Sequence, residues 1–165
     1  MRIAEPSLPF WHPATLVATW FGAGLLPAAP GSWGSLAALP AAWLILAFGS
    51  PRLLLLAALL ALLAGWWAVA HYTRYTATKD PNEVVIDEVS GQWLTLLFAD
   101  PSVWWHWLFG FLLFRFLDIA KPWPANLIDR RTTAIAVMAD DIIAGLYAMI
   151  GLVLAIYAWG IVRAA

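Results

Sequence analysis

Cysteine is absent from the 165 residues, which excludes disulfides, thiolate metal sites and a cysteine-nucleophile phosphatase mechanism. Charge is scarce too: Asp, Glu, Lys and Arg make up 12% of the chain, about half of what a soluble domain carries. Neither sign dominates. Nine basic against ten acidic residues leave a formal charge of −1, so no nucleic-acid surface is expected. Residues Met1–Trp11 carry Arg2, Glu5, Pro6 and Pro9 but no apolar run behind a basic start, and no cleavable leader is predicted. Internal repeats and low-complexity tracts are missing as well.

What fills the chain is apolar: 63% of residues are hydrophobic and twelve are Trp. One domain of 165 residues cannot hide that surface from water, so much of it faces lipid, with Trp favoured at the membrane interfaces. The expected fold is all-α, a polytopic helical membrane protein occupying residues 1–165 as a single unit.

Leu53–Ala70 is uncharged for 18 residues and Ile142–Val162 for 21, each near the length that crosses a bilayer. Trp33–Phe48 is shorter and contains Pro40, which a membrane helix tolerates. The apolar cores Val89–Ala99 and Val103–Phe114 are split by Asp100-Pro101-Ser102. They read as a helical hairpin, each arm reaching ~24–27 Å once extended through its polar end. Five crossings are therefore expected, at 33–48, 53–72, 85–99, 103–120 and 141–162, with His12–Leu26 as an N-terminal interfacial helix.

This topology puts Arg2, Arg74, Lys79, Arg115, Lys121, Arg130 and Arg131 on one side and only Arg52 and Arg163 on the other. The positive-inside rule makes the first side cytoplasmic. The same side collects Asp80, Glu83, Asp87, Glu88, Asp118, Asp129, Asp140 and Asp141, while Asp100 lies opposite.

Four patches carry candidate chemistry. In Pro30-Gly31-Ser32-Trp33-Gly34-Ser35, bare backbone and two hydroxyls open a helix, an anion site or simply a turn with Ser32 as N-cap. In Asp87-Glu88 with Gly91, hard oxygen donors suit Mg²⁺, or merely complement the helix dipole. Arg115, Asp118 and Lys121, spaced by three, form a salt-bridge ladder, or offer Asp118 to a metal while the cations hold a phosphate. In Asp140-Asp141 with Gly145, a second acidic pair opens a span. Two such pairs on one side are hard to explain as dipole complements alone, and together the four patches favour metal-assisted phosphoryl chemistry over a structural charge network. His12, His71 and His106 have no metal-ligand spacing and are expected to be non-catalytic.

Taken in order, Gly22-x-Gly24 with Pro30-Gly31-Ser32-x-Gly34-Ser35-Leu36, Val85-Ile86-Asp87-Glu88 with Gly91, Phe114-Arg115-x-x-Asp118-Ile119-x-Lys121-Pro122-x-Pro124 with Asp129-Arg130, and Met138-x-Asp140-Asp141 with Ala144-Gly145 resemble the bacterial phosphatidylglycerophosphatase A family. The resemblance implies a multi-pass inner-membrane hydrolase that uses Mg²⁺ to convert phosphatidylglycerophosphate into phosphatidylglycerol on the cytoplasmic side.

The expected roles are as follows. Asp87, Glu88, Asp140 and Asp141 hold Mg²⁺, and Asp118 is a further ligand or base. Arg115 and Lys121 neutralise the phosphate. Gly31, Ser32, Gly34, Ser35 and Arg130 bind substrate. Direct in-line attack by water and an aspartyl-phosphate intermediate both stay open, as does homo-oligomerisation. Two rival classes are a small cation-coupled transporter, which would spread its acids through the membrane depth, and a non-catalytic membrane subunit.

Overall fold

The computed structural model describes residues 8–75, 81–125 and 134–164, and among these every regular element is helical. In chain order they are α1 (Pro13–Ala18), α2 (Pro30–Phe48), α3 (Pro51–Tyr72), α4 (Ile86–Thr95), α5 (Trp104–Ala120) and α6 (Ala134–Ala164), with 3-10 turns at Ala23–Leu25 and Thr73–Tyr75. By length and composition three helices can cross a membrane: α2, α3 with its 3-10 extension to Tyr75, and the Met138–Ala164 part of α6.

Local chemistry sets the boundaries. Pro30 and Pro51 each begin a helix, where their missing N–H is no loss. The Ser50 side chain accepts from the Leu53 N–H at 3.3 Å and caps α3. Pro40 sits within α2 without ending it.

Packing is inverted relative to a soluble bundle. The buried stripe of α3 is Leu54, Ala58, Ala61, Gly65, Ala68, Val69 and Tyr72, mostly small residues. Its other face exposes Leu56, Leu60, Leu63 and Trp66. Small residues bring backbones close and large apolar ones meet lipid, as expected where water supplies no drive between helices.

Short α4 lies at the centre, with nearly every residue buried between α2, α3, α5 and α6. Its closest approach is to α6. A Cβ on Gly145 would stand 2.5 Å from the Gly91 carbonyl oxygen, and one on Gly91 would stand 2.6 Å from that of Asp141. Thr95 Oγ1 donates across this crossing, 3.0 Å from Gly91 O and 3.3 Å from Gly145 O.

The predicted hairpin is present, with its tip at Asp100–Ser102. The tip is tied down by the Asp100 N–H onto His106 Nδ1 at 2.9 Å, Trp107 Nε1 onto Asp100 O at 3.1 Å and Trp43 Nε1 onto Pro101 O at 3.0 Å. Trp43 lies thirteen residues beyond Pro30 in α2, so the tip reaches about 20 Å from the acidic end of the bundle.

Three boundaries differ by four residues or more from those expected. The N-terminal helix covers only Pro13–Ala18, because Trp20, Phe21 and Gly22 take left-handed backbone angles (φ 47°, 55° and 95°) that break it. The segment then tucks inward, with the Val85 N–H on Ala18 O at 2.8 Å. Arm α4 ends at Thr95 rather than 99. Finally, α6 starts at Ala134, seven residues before the predicted 141.

Candidate active site

The acidic end of the bundle is assembled from α2, α4, α5 and α6. Asp87 and Glu88 stand in the first turn of α4. Asp140 and Asp141 stand two turns into α6, so the pull of a positive helix end cannot account for them. The Gly91–Gly145 crossing, four residues beyond Asp87 and Asp141 respectively, draws these two helices together. As a result, one carboxylate oxygen from each of Asp87, Glu88 and Asp141 lies within 4.8 Å of the others.

All three groups are shielded: Asp87 and Asp141 are 8% and 4% exposed, and the Glu88 side chain 14%. Asp118 and Asp140 are further acidic neighbours of Asp141. Three carboxylates this close in a poorly solvated setting repel one another strongly when ionised. A divalent cation turns that repulsion into coordination. Glu88 Oε2 is buried without a hydrogen-bond partner, so its lone pairs are open to an ion or to a donor. The donor set is all oxygen, as Mg²⁺ requires.

The cations line one wall. Arg115 Nη1 pairs with Asp118 Oδ2 at 2.6 Å, stands 3.8 Å from Glu88 Oε1, and donates to Ser35 Oγ at 3.5 Å. Lys121 Nζ reaches Asp140 Oδ2 at 2.7 Å. It does so because Lys121 ends α5 in a left-handed conformation (φ 44°), which swings its side chain off the Arg115–Asp118 face. The predicted three-residue ladder is thus half formed, and its third member bridges to α6 instead.

Gly31 and Gly34 serve by lacking side chains. A Cβ on Gly31 would overlap Glu88 Oε1 and stand 3.1 Å from Arg115 Nη2, while one on Gly34 would stand 2.5 Å from Val85 Cβ. Ser35 is fully buried and donates to Gly31 O at 2.9 Å. Helix α2 begins at Pro30 with Ala29 as N-cap, so Ser32 is already helical, half-buried, and not the cap. The sequence-predicted residues Asp87, Glu88, Asp118, Arg115, Lys121, Gly31, Ser35, Asp140 and Asp141 therefore converge. Arg130, with Asp129, lies outside the described residues. Gln92, fully buried just below Glu88, was not signalled by any motif.

The three histidines stand apart from this cluster. His106 anchors the distant hairpin tip. His71 stacks between His12 and Trp67, with ring centroids 5.5 and 5.8 Å away.

Known proteins give this geometry a context. A model of the phosphatidylglycerophosphatase A family matches residues 16–156. The phosphatidylglycerophosphatase A of Escherichia coli (strain K12) is 37% identical over 145 residues, 87% of this chain and 83% of the relative. That of Haemophilus influenzae is 36% identical over 150 residues, 90% and 91% of the two chains. A protein of Bacteroides thetaiotaomicron, provisionally named as a phosphatidylinositol-3-phosphatase, is 39% identical over 142 residues, 82% and 88% of the two. No solved structure matches.

Proposed function

We propose a reaction for this crevice on the premise that the chain belongs to the phosphatidylglycerophosphatase A family: hydrolysis of the terminal phosphate monoester of phosphatidylglycerophosphate, giving phosphatidylglycerol and inorganic phosphate. The observation that carries the chemistry is the convergence of Asp87, Glu88 and Asp141 beside Arg115. These three carboxylates would hold Mg²⁺, with Asp140 held to their side by Lys121. When bound, Mg²⁺ offsets the charge that builds on the phosphoryl oxygens.

The chain's own residues do the rest. Arg115 and Lys121 exchange part of their carboxylate pairing for the phosphate oxygens. Asp118, beside both Arg115 and Asp141, takes the proton of the attacking water. Water's oxygen bonds to phosphorus as the bond to the glycerol oxygen breaks, and that oxygen takes a proton from bulk water at the membrane surface. The bare face of α2 at Gly31 lets Glu88 and Arg115 pack directly against the helix, where any side chain would collide with Glu88.

Depth supports a lipid substrate. Counting about 20 residues of hydrocarbon span back from Val162, the last residue before Arg163, reaches Ile143, which puts Asp140 and Asp141 at the edge of the apolar layer, at head-group level. The acyl chains then stay in lipid while the head group reaches the acids. Among the described residues Arg74, Arg115 and Lys121 lie at this end against Arg52 and Arg163 at the other, and the topology expected from the sequence adds to the same side, which argues for the cytoplasmic face, with α4 and α5 completing a five-pass arrangement.

The test is phosphate release from phosphatidylglycerophosphate by detergent-purified protein, with Mg²⁺ or chelator, beside Asp87→Asn, and with phosphatidylinositol 3-phosphate as the alternative substrate. Release abolished by chelator and lowered at least about 100-fold in folded Asp87→Asn is expected. Release that survives chelation overturns the metal role. Preference for the inositol lipid overturns the substrate.

A further inference from the structure

Gln92 is fully buried, and neither its Oε1 nor its Nε2 has a hydrogen-bond partner. An amide in that state weakens a fold, and Met would fill similar space without the penalty. Packing therefore gives no reason for Gln at this position. Two other buried atoms without partners belong to the crevice: Glu88 Oε2 and Arg115 Nε. Their chemistry is complementary, since the first can only accept, the second can only donate, and a carboxamide does both.

Position links the three. Gln92 follows Glu88 by four residues on α4, about 6 Å deeper and about 40° around the axis. Four residues further on, Leu96 meets α5 at Gly110, where a Cβ would stand 2.9 Å from Leu96 Cδ2. The strip of α4 running from Glu88 through Gln92 to Leu96 thus faces α5. Arg115 stands on α5 five residues from Gly110, toward the crevice.

We infer that Gln92 is a positioning residue for the Glu88–Arg115 pair. In the cation-loaded crevice its amide N–H is donated to Glu88 Oε2 and its carbonyl accepts from Arg115 Nε–H, directly or through one buried water. This holds the carboxylate in a ligating orientation and keeps the guanidinium from collapsing onto it, a task of the kind that outer partners of metal ligands perform. The inference rests on the metal reading of the crevice.

Its signature is a split that a purely structural residue would not give: removing the amide leaves the empty protein no less stable yet weakens cation binding. The experiment is Mn²⁺ titration followed by electron paramagnetic resonance, together with thermal unfolding in chelator, on detergent-purified wild type, Gln92→Met and Asp87→Asn. Gln92→Met is expected to bind Mn²⁺ about 10–100-fold more weakly, to unfold in chelator at the wild-type temperature or above, and to regain turnover as Mg²⁺ is raised. Unchanged Mn²⁺ affinity in Gln92→Met overturns the inference, as does a lower unfolding temperature or a failure to fold. A wild type that binds no Mn²⁺, or an Asp87→Asn variant that binds it equally well, removes the metal reading itself, whatever Gln92→Met does.

Discussion

Arg115 shows how closely structure and chemistry overlap at single residues. It meets Asp118 at 2.6 Å and Glu88 at 3.8 Å with side chains only 11–14% exposed, so it is the counter-charge that lets two acids stay buried and, in the proposed reaction, also a ligand of the phosphate. Removing one partner of such a pair leaves an uncompensated charge, whereas removing both with apolar replacements is far better tolerated. Arg115→Met is therefore expected to destabilise by about 2–4 kcal/mol and to be inactive. Arg115→Met combined with Asp118→Leu should recover most of that stability and remain inactive. Chemical unfolding in mixed micelles and phosphate release measure the two separately; activity returning with stability would reduce the pair to a structural clamp. The acids and cations were legible at this scale because ionisable residues are costly near a membrane. Two features were not. The left-handed turn at Lys121, which redirects its amine to Asp140, leaves no trace in the three-residue spacing, although Pro122 marked the helix end. Gln92 lies in a run of buried residues where an amide belongs to no motif.

Between elements, the decisive contact is the crossing of α4 and α6. Backbone meets backbone at Gly91 and Gly145, with Thr95 Oγ1 shared between both carbonyls. A side chain at either glycine must push the helices apart. Gly145→Val is expected to cost at least about 1–3 kcal/mol through overpacking, and to lower cation affinity as well, because Asp87 and Asp141 part with their helices. Thermal unfolding and Mn²⁺ titration of the purified variant check both, and a variant of wild-type stability and affinity would show that the crossing has slack. Element ends were read well where Gly-Ser-Pro or Asp-Pro-Ser punctuates the chain, as at the end of α2 at Phe48 and the Asp100–Ser102 tip. They were read poorly where the determinant is tertiary. The acids that looked like the opening turn of α6 sit inside the helix, which begins at Ala134.

For the molecule as a whole, the inverted packing and the asymmetry of its ends make orientation an experimental question with a convenient tool, since no native cysteine interferes. Single substitutions Ser50→Cys and Ser102→Cys lie at the end of the bundle remote from the acids, and Thr73→Cys lies at theirs. In intact cells, a membrane-impermeant maleimide is expected to label the first two and to reach Thr73→Cys only after lysis. The reverse pattern would turn the crevice to the outside. Helical class and membrane residence were evident from composition, because 63% hydrophobic residues with 12% charge leave no soluble solution. The tucked N-terminal segment was not: its small inward residues Ala14, Ala18 and Gly24 look, in sequence, much like those of a helix lying on the surface.

The glycine crossing also works as a fulcrum. Asp87 and Asp141 each stand four residues from it, a lever arm of about 6 Å, whereas Ala164 lies nineteen residues beyond it on the other side, an arm of about 28 Å. If bilayer thickness or a passing lipid splays the two helices by a given angle, the far end of α6 swings nearly five times as far as the carboxylates do. The acids that, in the proposed reaction, would have to agree to within a few tenths of an ångström on one ion are thereby placed where bending matters least, and the long apolar remainder of α6 is free to follow the membrane.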